Sequence, residues 1–436
     1  MARAISHIKN ILVYADWIGM PKQMVPPSPI GTLNAEQIRG KEVFSFGYDK
    51  AWLNSKPAHL LDPDLLLYSG PQYTREDKGN FGIFTDSAPD RWGRVLMERK
   101  EGLLAREEGR KPRVLMESDF LLGVFDGSRM GGLRLKLEEA GAFLDNQGEM
   151  AIPPYSKIRT LEEASFKLEE SDAMDDLAIS KWLRILFAPG SSLGGARPKA
   201  SVTGPDGDLW IAKFPSRDDR WDTGGWEMVV NELALQSGIN ISKAFAEKYY
   251  HKTFHTFLTR RFDRDNMGRR IHFASAMTLL GKMDGASAKE GVSYLNIAEF
   301  LMRHGAQTDQ DLEELWRRIV FNIAVSNTDD HLRNHGFLLN PKGWALSPAY
   351  DMNPAPNSAG LTLNISDTSN ALEVDLAQEV APQFRISDPR RKEIISRIIK
   401  AVNNWAKIAD KFKISRSEKE RMESAFIEMK TKWLIR

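Results

Sequence analysis

Cysteine is absent from the 436-residue chain. That excludes disulfides, thiolate nucleophiles and Cys-ligated zinc, and it fits a reducing compartment. Net charge is almost absent too. Lys and Arg number 60 against 59 Asp and Glu, for a formal charge of +1. No whole-molecule field therefore draws the chain to nucleic acid or to an anionic membrane, although a local basic patch stays open. Long apolar runs are lacking. Stretches such as Asp119–Phe125 and Asn231–Leu235 are too short and too interrupted to cross a bilayer. Met1–Asn10 is basic but has no apolar run of signal-peptide length. The expectation is a cytoplasmic chain with no membrane partner. Internal repeats and low-complexity tracts are missing as well, which excludes solenoids and disordered linkers of biased composition.

What is present is the composition of an ordinary globular protein, 42% hydrophobic and 27% charged. At roughly 150 residues per domain the length predicts two or three domains. Strands are predicted at Ile11–Tyr14 and Val43–Tyr48, with Met20–Gly31, which holds four prolines, as loop. Asp86–Lys100 reads as a helix with Pro89 in its first turn. Leu161–Phe187 is largely helical in pattern. Ala200–Thr203 and Asp208–Phe214 read as strands around a Gly204–Gly207 turn, followed by a helix over Trp226–Gly238 and a strand over Thr256–Phe262. Beyond Arg270 the periodicity is helical over Ile297–His304, Asp309–Val325, Pro389–Lys411 and Ser415–Leu434. Gly336–Leu346 breaks it and reads as a β-hairpin. A mixed half followed by a helical half is α+β, with two lobes.

The chemistry concentrates in Ser326–Asn334, SNTDDHLRN, between a predicted helix and that hairpin, and in Tyr350–Pro354, YDMNP, just after it. A protein kinase needs an Asp to orient the substrate hydroxyl and an Asn five residues later to hold metal. It needs a second metal-binding Asp after a hairpin. Asp329, Asn334 and Asp351 have this spacing. Hard oxygens are the ligands Mg²⁺ requires when it neutralises ATP phosphates. Upstream, Ser191–Lys199, SSLGGARPK, is a small-residue loop able to bring N–H groups close to phosphate. Lys213 ends the apolar strand LWIAK. Each piece has a plain structural reading: a capped helix end, a turn, and a lysine snorkelling at a strand end. It is their order along the chain that matches a kinase.

In Ser192–Lys199, Ala212–Pro215, Arg261–Arg264 (RFDR), Asn327–Asn334 and Tyr350–Pro354 the chain resembles the HipA family of bacterial serine/threonine kinases, the toxin component of HipA–HipB systems. Ser45–Leu53, Ala88–Arg94 (APDRWGR) and Leu122–Leu135 resemble that family's N-terminal region. The resemblance implies a two-lobed protein-kinase-like fold. It divides into a β-rich N-terminal subdomain at 1–115, an N-lobe at 116–262 and an all-α C-lobe at 263–436. It implies Asp329 as catalytic base, with Asn334 and Asp351 on Mg²⁺ and Lys213 on the α/β phosphates of ATP. Gly194, Gly195, Ala196, Arg197, Pro198 and Lys199 would form the phosphate loop. Arg260, Arg261 and Phe262 would lie beside adenine, and His331 would lie in the nucleotide site. Arg260 stands where the best-known family member carries an acidic residue; backbone contacts to adenine need no particular side chain. Glu227, with Glu232 as rival, would pair Lys213. Ser192 would be the autophosphorylated serine, with Ser191 as the alternative.

The resemblance further implies a protein substrate of the aminoacyl-tRNA synthetase kind, such as the glutamyl enzyme. It implies growth arrest or persistence as the outcome and a small helix-turn-helix, HipB-like antitoxin as partner, with DNA reached only through that antitoxin. The rival of another class is a non-catalytic HipA-like co-repressor, against which the intact Asp329, Asn334, Asp351 and Lys213 argue. A metal-dependent hydrolase built on Asp329-Asp330-His331 would need more carboxylates and histidines than its neighbourhood offers. His331 reads as a structural hydrogen-bonding histidine rather than a metal ligand, and the basic run Arg390–Arg397 as a solvated helix face.

Overall fold

The computed structural model describes residues 8–56, 59–144, 152–170, 185–186, 195 and 197–426. They form two compact units, Met1–Arg217 with Asp263–Ala274, and Asp218–Phe262 with Ser275–Arg436. Both mix strands and helices, so the fold is α+β.

The first unit is built on a five-stranded antiparallel sheet in the order β4-β3-β2-β1-β5. Its strands are β1 (Ile8–Ala15), β2 (Ser28–Ile38), β3 (Lys41–Tyr48), β4 (Pro71–Tyr73) and β5 (Leu133–Lys136). Alternation explains the pleat: Ile11, Val13 and Ala15 of β1 and Phe44, Phe46 and Tyr48 of β3 are buried while their neighbours are not. Here the predicted loop Met20–Gly31 is corrected. The loop gives way to strand already at Ser28, and Pro29 lies inside β2. Pro29 pairs with Tyr14 where the β1–β2 register shifts, an irregularity that tolerates a missing N–H.

The helix predicted over Asp86–Lys100 is also corrected. Two helices, α1 (Gly82–Ser87) and α2 (Arg91–Glu107), meet at an extended break. Pro89 lies in the break, and Asp90 caps α2 by accepting from Gly93 N–H at 2.8 Å. Helices α3 (Glu117–Leu122) and α4 (Ile158–Glu169) follow, then the hairpin of β6 (Lys199–Thr203) and β7 (Leu209–Lys213). The part of the predicted Leu161–Phe187 helix beyond Glu170 lies largely outside the described residues.

Residues 263–274 complete this unit through buried ions. Asp263 accepts from Gly131 N–H at 2.8 Å and from Arg264 at 2.6 Å. Arg264 donates on to the Gly127 and Arg129 carbonyls. Arg270 donates to the Asp126 carbonyl at 2.6 Å. Arg129 is fully buried and donates to the carbonyls of Ser87 and Val124, and burial pulls its pKa down to about 10. His272 stacks on Trp17 with centroids 4.6 Å apart.

The second unit is dominated by helices: α5 (Thr223–Gln236), α6 (Tyr294–His304), α7 (Thr308–Ala324), α8 (Asp388–Val402), α9 (Trp405–Lys411) and α10 (Arg416–Met422). The single helix predicted over Pro389–Lys411 is thus two. The unit also holds two hairpins, β8 (Ala244–Glu247) with β9 (Thr256–Arg260), and β10 (Gly336–Asn340) with β11 (Gly343–Leu346). Helix α7 runs through the core on Leu312, Leu315, Trp316, Ile319 and Ile323, a spacing of three and four. Two of its buried charges steady the chain around the second hairpin. Asp311 accepts from Leu346 N–H at 3.0 Å, and Arg318 donates to the Ser347 carbonyl at 2.7 Å. No helix among the described residues is long and apolar enough to cross a membrane.

Burial holds the His272 pKa down at about 3 and lifts that of Asp62 to about 6. Between pH 6.5 and 3 the unfolded chain binds a proton at residue 272 that the folded chain refuses, so this histidine's contribution to stability is lost as pH falls. Asp62 acts oppositely: its contribution is present at low pH and lost as pH rises towards 6. His272→Phe, which keeps the ring on Trp17, should remove about 2 kcal/mol of the stability loss between pH 6.5 and 5. Urea titrations of both proteins at the two pH values measure it; parallel losses would contradict the assignment.

Candidate active site

The loop that follows α7 is shaped by one buried carboxylate. Val325 ends the helix, and Ser326 turns the chain with φ +48°. Asp330, buried, accepts at one oxygen from the Tyr294 hydroxyl at 2.5 Å, the Asn322 amide at 2.5 Å and His335 Nε2 at 3.1 Å. Burial works to raise its pKa, but the neighbouring His335 and these hydrogen bonds outweigh it, and the value lies below the ordinary one. Asn327 adds a second tie, donating to Asn322 Oδ1 at 3.1 Å and accepting from Asn353 N–H at 3.2 Å. The loop is thus fastened to α6, to α7 and to the segment after the hairpin.

Asp329, next door, is the opposite. Its side chain is 84% exposed, with His331 Nε2 3.9 Å away. Its pKa is raised by partial burial and by the negative charges of Asp351 and Asp330, against the pull of His331. With the carboxylate so exposed, the neighbouring charges are the more persuasive cause. The Asp329 carbonyl accepts from His331 N–H at 3.1 Å and from Asn334 Nδ2 at 2.8 Å. Asn334 therefore spends its amide nitrogen on the loop, and its Oδ1 is the atom left to serve a cation.

Asp351 sits after the hairpin with φ +58°, a left-handed conformation uncommon outside glycine and found where a side chain must be aimed. Asn353 Nδ2 donates to its Oδ1 at 3.3 Å, while Asn353 Oδ1 is buried without a hydrogen-bond partner. Tyr350 holds the turn by donating to the Arg333 carbonyl at 2.6 Å. Two hard oxygen donors, Asn334 Oδ1 and the Asp351 carboxylate, with an orphaned amide oxygen nearby, suit Mg²⁺, which fills the rest of its shell with water and phosphate oxygens. Among the described residues no three His, Asp or Glu side chains form a metal-binding group.

The other predicted residues fall as follows. Arg260 ends β9, its N–H on the Lys243 carbonyl at 2.9 Å, and Arg261 is buried just beyond. Phe262 packs on Tyr350, ring centroids 5.4 Å apart. Glu227 is buried on α5, whereas Glu232 reaches Lys411 at 3.6 Å. In the first unit, Lys213 ends β7 half-buried, directly opposite Lys199. Arg197 donates to the Phe214 carbonyl at 3.3 Å and Pro198 is buried. Gly195 has φ +90°. Lys199 Nζ is buried, 2.9 Å from Asp90 and 3.1 Å from the Gly195 carbonyl. Ser191, Ser192, Gly194 and Ala196 lie outside the described residues. Sequence reasoning missed Asp330, His335 and Asn353. Asn322 lies in the last turn of α7 and Asp330 in the loop beyond it, so no helical spacing pointed to that anchor.

The fold is α+β and protein-kinase-like. The structure resembles that of the HipA–HipB toxin–antitoxin complex with operator DNA of Shewanella oneidensis MR-1, with a TM-score of 0.62 and 16% identity over 93% of this chain and 95% of that one. Residues 191–406 match the HipA-like C-terminal domain, and the chain belongs to the HipA family. A Haemophilus influenzae protein named "Putative kinase" is 33% identical over 147 residues, 31% of this chain and 42% of that protein. "Toxin YjjJ" of Escherichia coli K12 is 26% identical over 333 residues, 67% of this chain and 70% of that protein. The match to the Haemophilus relative thus spans less than half of that relative's length.

The two adjacent aspartates should respond differently to truncation. Asp330→Ala strands three buried donors and should lower unfolding free energy by about 3 kcal/mol. Asp329→Ala should change it by less than about 0.5 kcal/mol. Urea denaturation separates them, and equal effects would refute the division of labour.

Proposed function

We propose that this chain is a Mg²⁺- and ATP-dependent serine/threonine protein kinase of the HipA toxin type. The observation that carries the reading is the contrast between Asp329 and Asp330: an exposed carboxylate on a loop locked by a buried one. A residue that accepts a hydroxyl proton must reach a macromolecular substrate and yet stay in place. Asp329 orients the Ser or Thr hydroxyl and takes its proton as the γ-phosphoryl group transfers. Asn334 Oδ1 and Asp351 hold Mg²⁺, whose role is to neutralise charge on the phosphate oxygens. Lys213 contacts the α/β phosphates; of the two glutamates weighed as its carboxylate partner, Glu232 reaches Lys411 and Glu227 is buried on α5. Gly195, in a conformation glycine adopts freely, belongs to the phosphate loop, and Arg260–Phe262 border adenine.

By its family, the chain acts on a protein, with an aminoacyl-tRNA synthetase as the leading candidate, in the cytoplasm, and arrests growth. A HipB-like helix-turn-helix antitoxin is its partner and its link to DNA. Autophosphorylation at Ser192 adds about −1.5 to −2 charges beside the nucleotide phosphates and silences the enzyme.

Asp329→Asn should lower phosphoryl transfer to a Ser/Thr acceptor by about 10²–10⁴ with ATP binding intact. Asp351→Ala should weaken Mg²⁺-dependent ATP binding in calorimetric titration. Transfer near wild-type level in the first variant would remove Asp329 as the base, and unchanged affinity in the second would remove Asp351 from the metal site. After incubation with Mg²⁺·ATP, mass spectrometry should find phosphate on Ser192; a wholly unmodified loop would remove the switch.

A further inference from the structure

The APDRWGR motif at Ala88–Arg94 lies a hundred residues before the phosphate loop and has no part in the reaction just described. Its aspartate nonetheless reaches the end of that loop. Asp90 Oδ2 is 2.9 Å from Lys199 Nζ, and both side chains are 1% exposed. The other Asp90 oxygen caps α2 through Gly93 N–H. The carboxylate is therefore fixed to a helix end, where the N-terminal peptide dipoles favour negative charge. Lys199 in turn donates to the Gly195 carbonyl at 3.1 Å, four residues back along the loop.

The cross-strand partner of Lys199 is Lys213. Two lysines directly opposite on an antiparallel pair repel each other unless one is neutralised. Asp90 neutralises Lys199. A lysine ammonium has three donors. One buried to this degree, and already given to a carboxylate and a carbonyl, offers little to a ligand.

We infer that Lys199 and Asp90 are a positioning pair: the ion pair ties the end of the phosphate loop to helix α2, and Lys199 itself makes no contact with nucleotide phosphate. The inference rests on the kinase reading for what the loop binds, though not for the anchor itself. It separates the two lysines of the hairpin, one given to the fold and one to the nucleotide, and it gives the APDRWGR motif a task.

The test is a double-variant cycle on the full chain. Lys199→Met takes the countercharge from a buried carboxylate, and Asp90→Asn takes it from a buried ammonium, while Asn preserves the helix cap. Each single variant should weaken Mg²⁺·ATP affinity by up to about 10²-fold through loop displacement. The double variant, with no uncompensated charge, should recover to within about threefold of wild type. A double variant that stays as weak as Lys199→Met while its thermal melt matches wild type makes Lys199 a phosphate ligand and overturns the inference. Hydrogen exchange without nucleotide is read on the same four proteins. Peptides spanning 187–203 should exchange faster in both single variants and return towards wild type in the double. Unchanged exchange in the single variants overturns the anchor even if no form of the protein binds ATP. Absence of ATP binding in the wild type, with the exchange pattern as expected, instead counts against the kinase reading.

Discussion

The candidate site depends on the Asp330 carboxylate. Removed from water, it holds its charge because a hydroxyl, an amide and an imidazole converge on one oxygen. The three donors come from α6, from α7 and from the start of the second hairpin, so a single anion sets the distances among these three elements. Low dielectric strengthens such bonds and makes the loss of any member costly. A loop between helix and hairpin is usually a mobile part of a protein. Here it is among the most constrained, which is what lets its neighbour stand in solvent and still be aimed.

Much of this arrangement was legible in the sequence. The spacing of Asp329, Asn334 and Asp351 and the hairpin between them follow from turn chemistry and periodicity, which are local. What was not legible turned on burial. Two adjacent aspartates look alike as letters, and nothing local says that Asp330 turns inward and Asp329 outward. Of two histidines four apart, His331 drew attention by its position, but His335 is the one that binds the buried carboxylate. Strand β2 was missed altogether: its first residues read as proline-rich loop, and only the register shift opposite Tyr14 excuses Pro29 there. The helix break at Ala88–Asp90 was hidden because Pro89 also suits a first turn. The RFDR motif was read as one piece, yet its halves part company: Arg261 and Phe262 stay with β9, while Asp263 and Arg264 join the loop at 127–131.

Both units bury charge, with different partners. Around α7 and α8, Arg390, Glu313, Arg317, Glu314 and Arg318 form a ladder of side-chain ion pairs that runs from a half-exposed end at Arg390 and Glu313 to a buried end at Glu314 and Arg318. In the first unit Arg129, Arg270, Lys199, Asp126 and Asp263 are buried, and carbonyl oxygens do as much of the pairing as carboxylates do. Buried ions of that kind add little net stability, but they penalise any other arrangement heavily, so they specify a structure more than they strengthen it.

That penalty bears on how such a chain can be inherited. Residues 263–274 leave the second unit, complete the first, and return. Asp263 finds its acceptor role at Gly131, and Arg270 its carbonyls at Asp126, Arg129 and Gly131. A recombination joint anywhere between residues 144 and 263 would bring together a loop and an insertion from different parents. The backbone partners would survive such a joint, but the Arg270–Asp126 ion pair would be lost unless the parents carried both residues. The stretch that looks most like a free-standing module, from the phosphate loop to the end of the chain, carries in its middle the complement of a sequence it would have left behind.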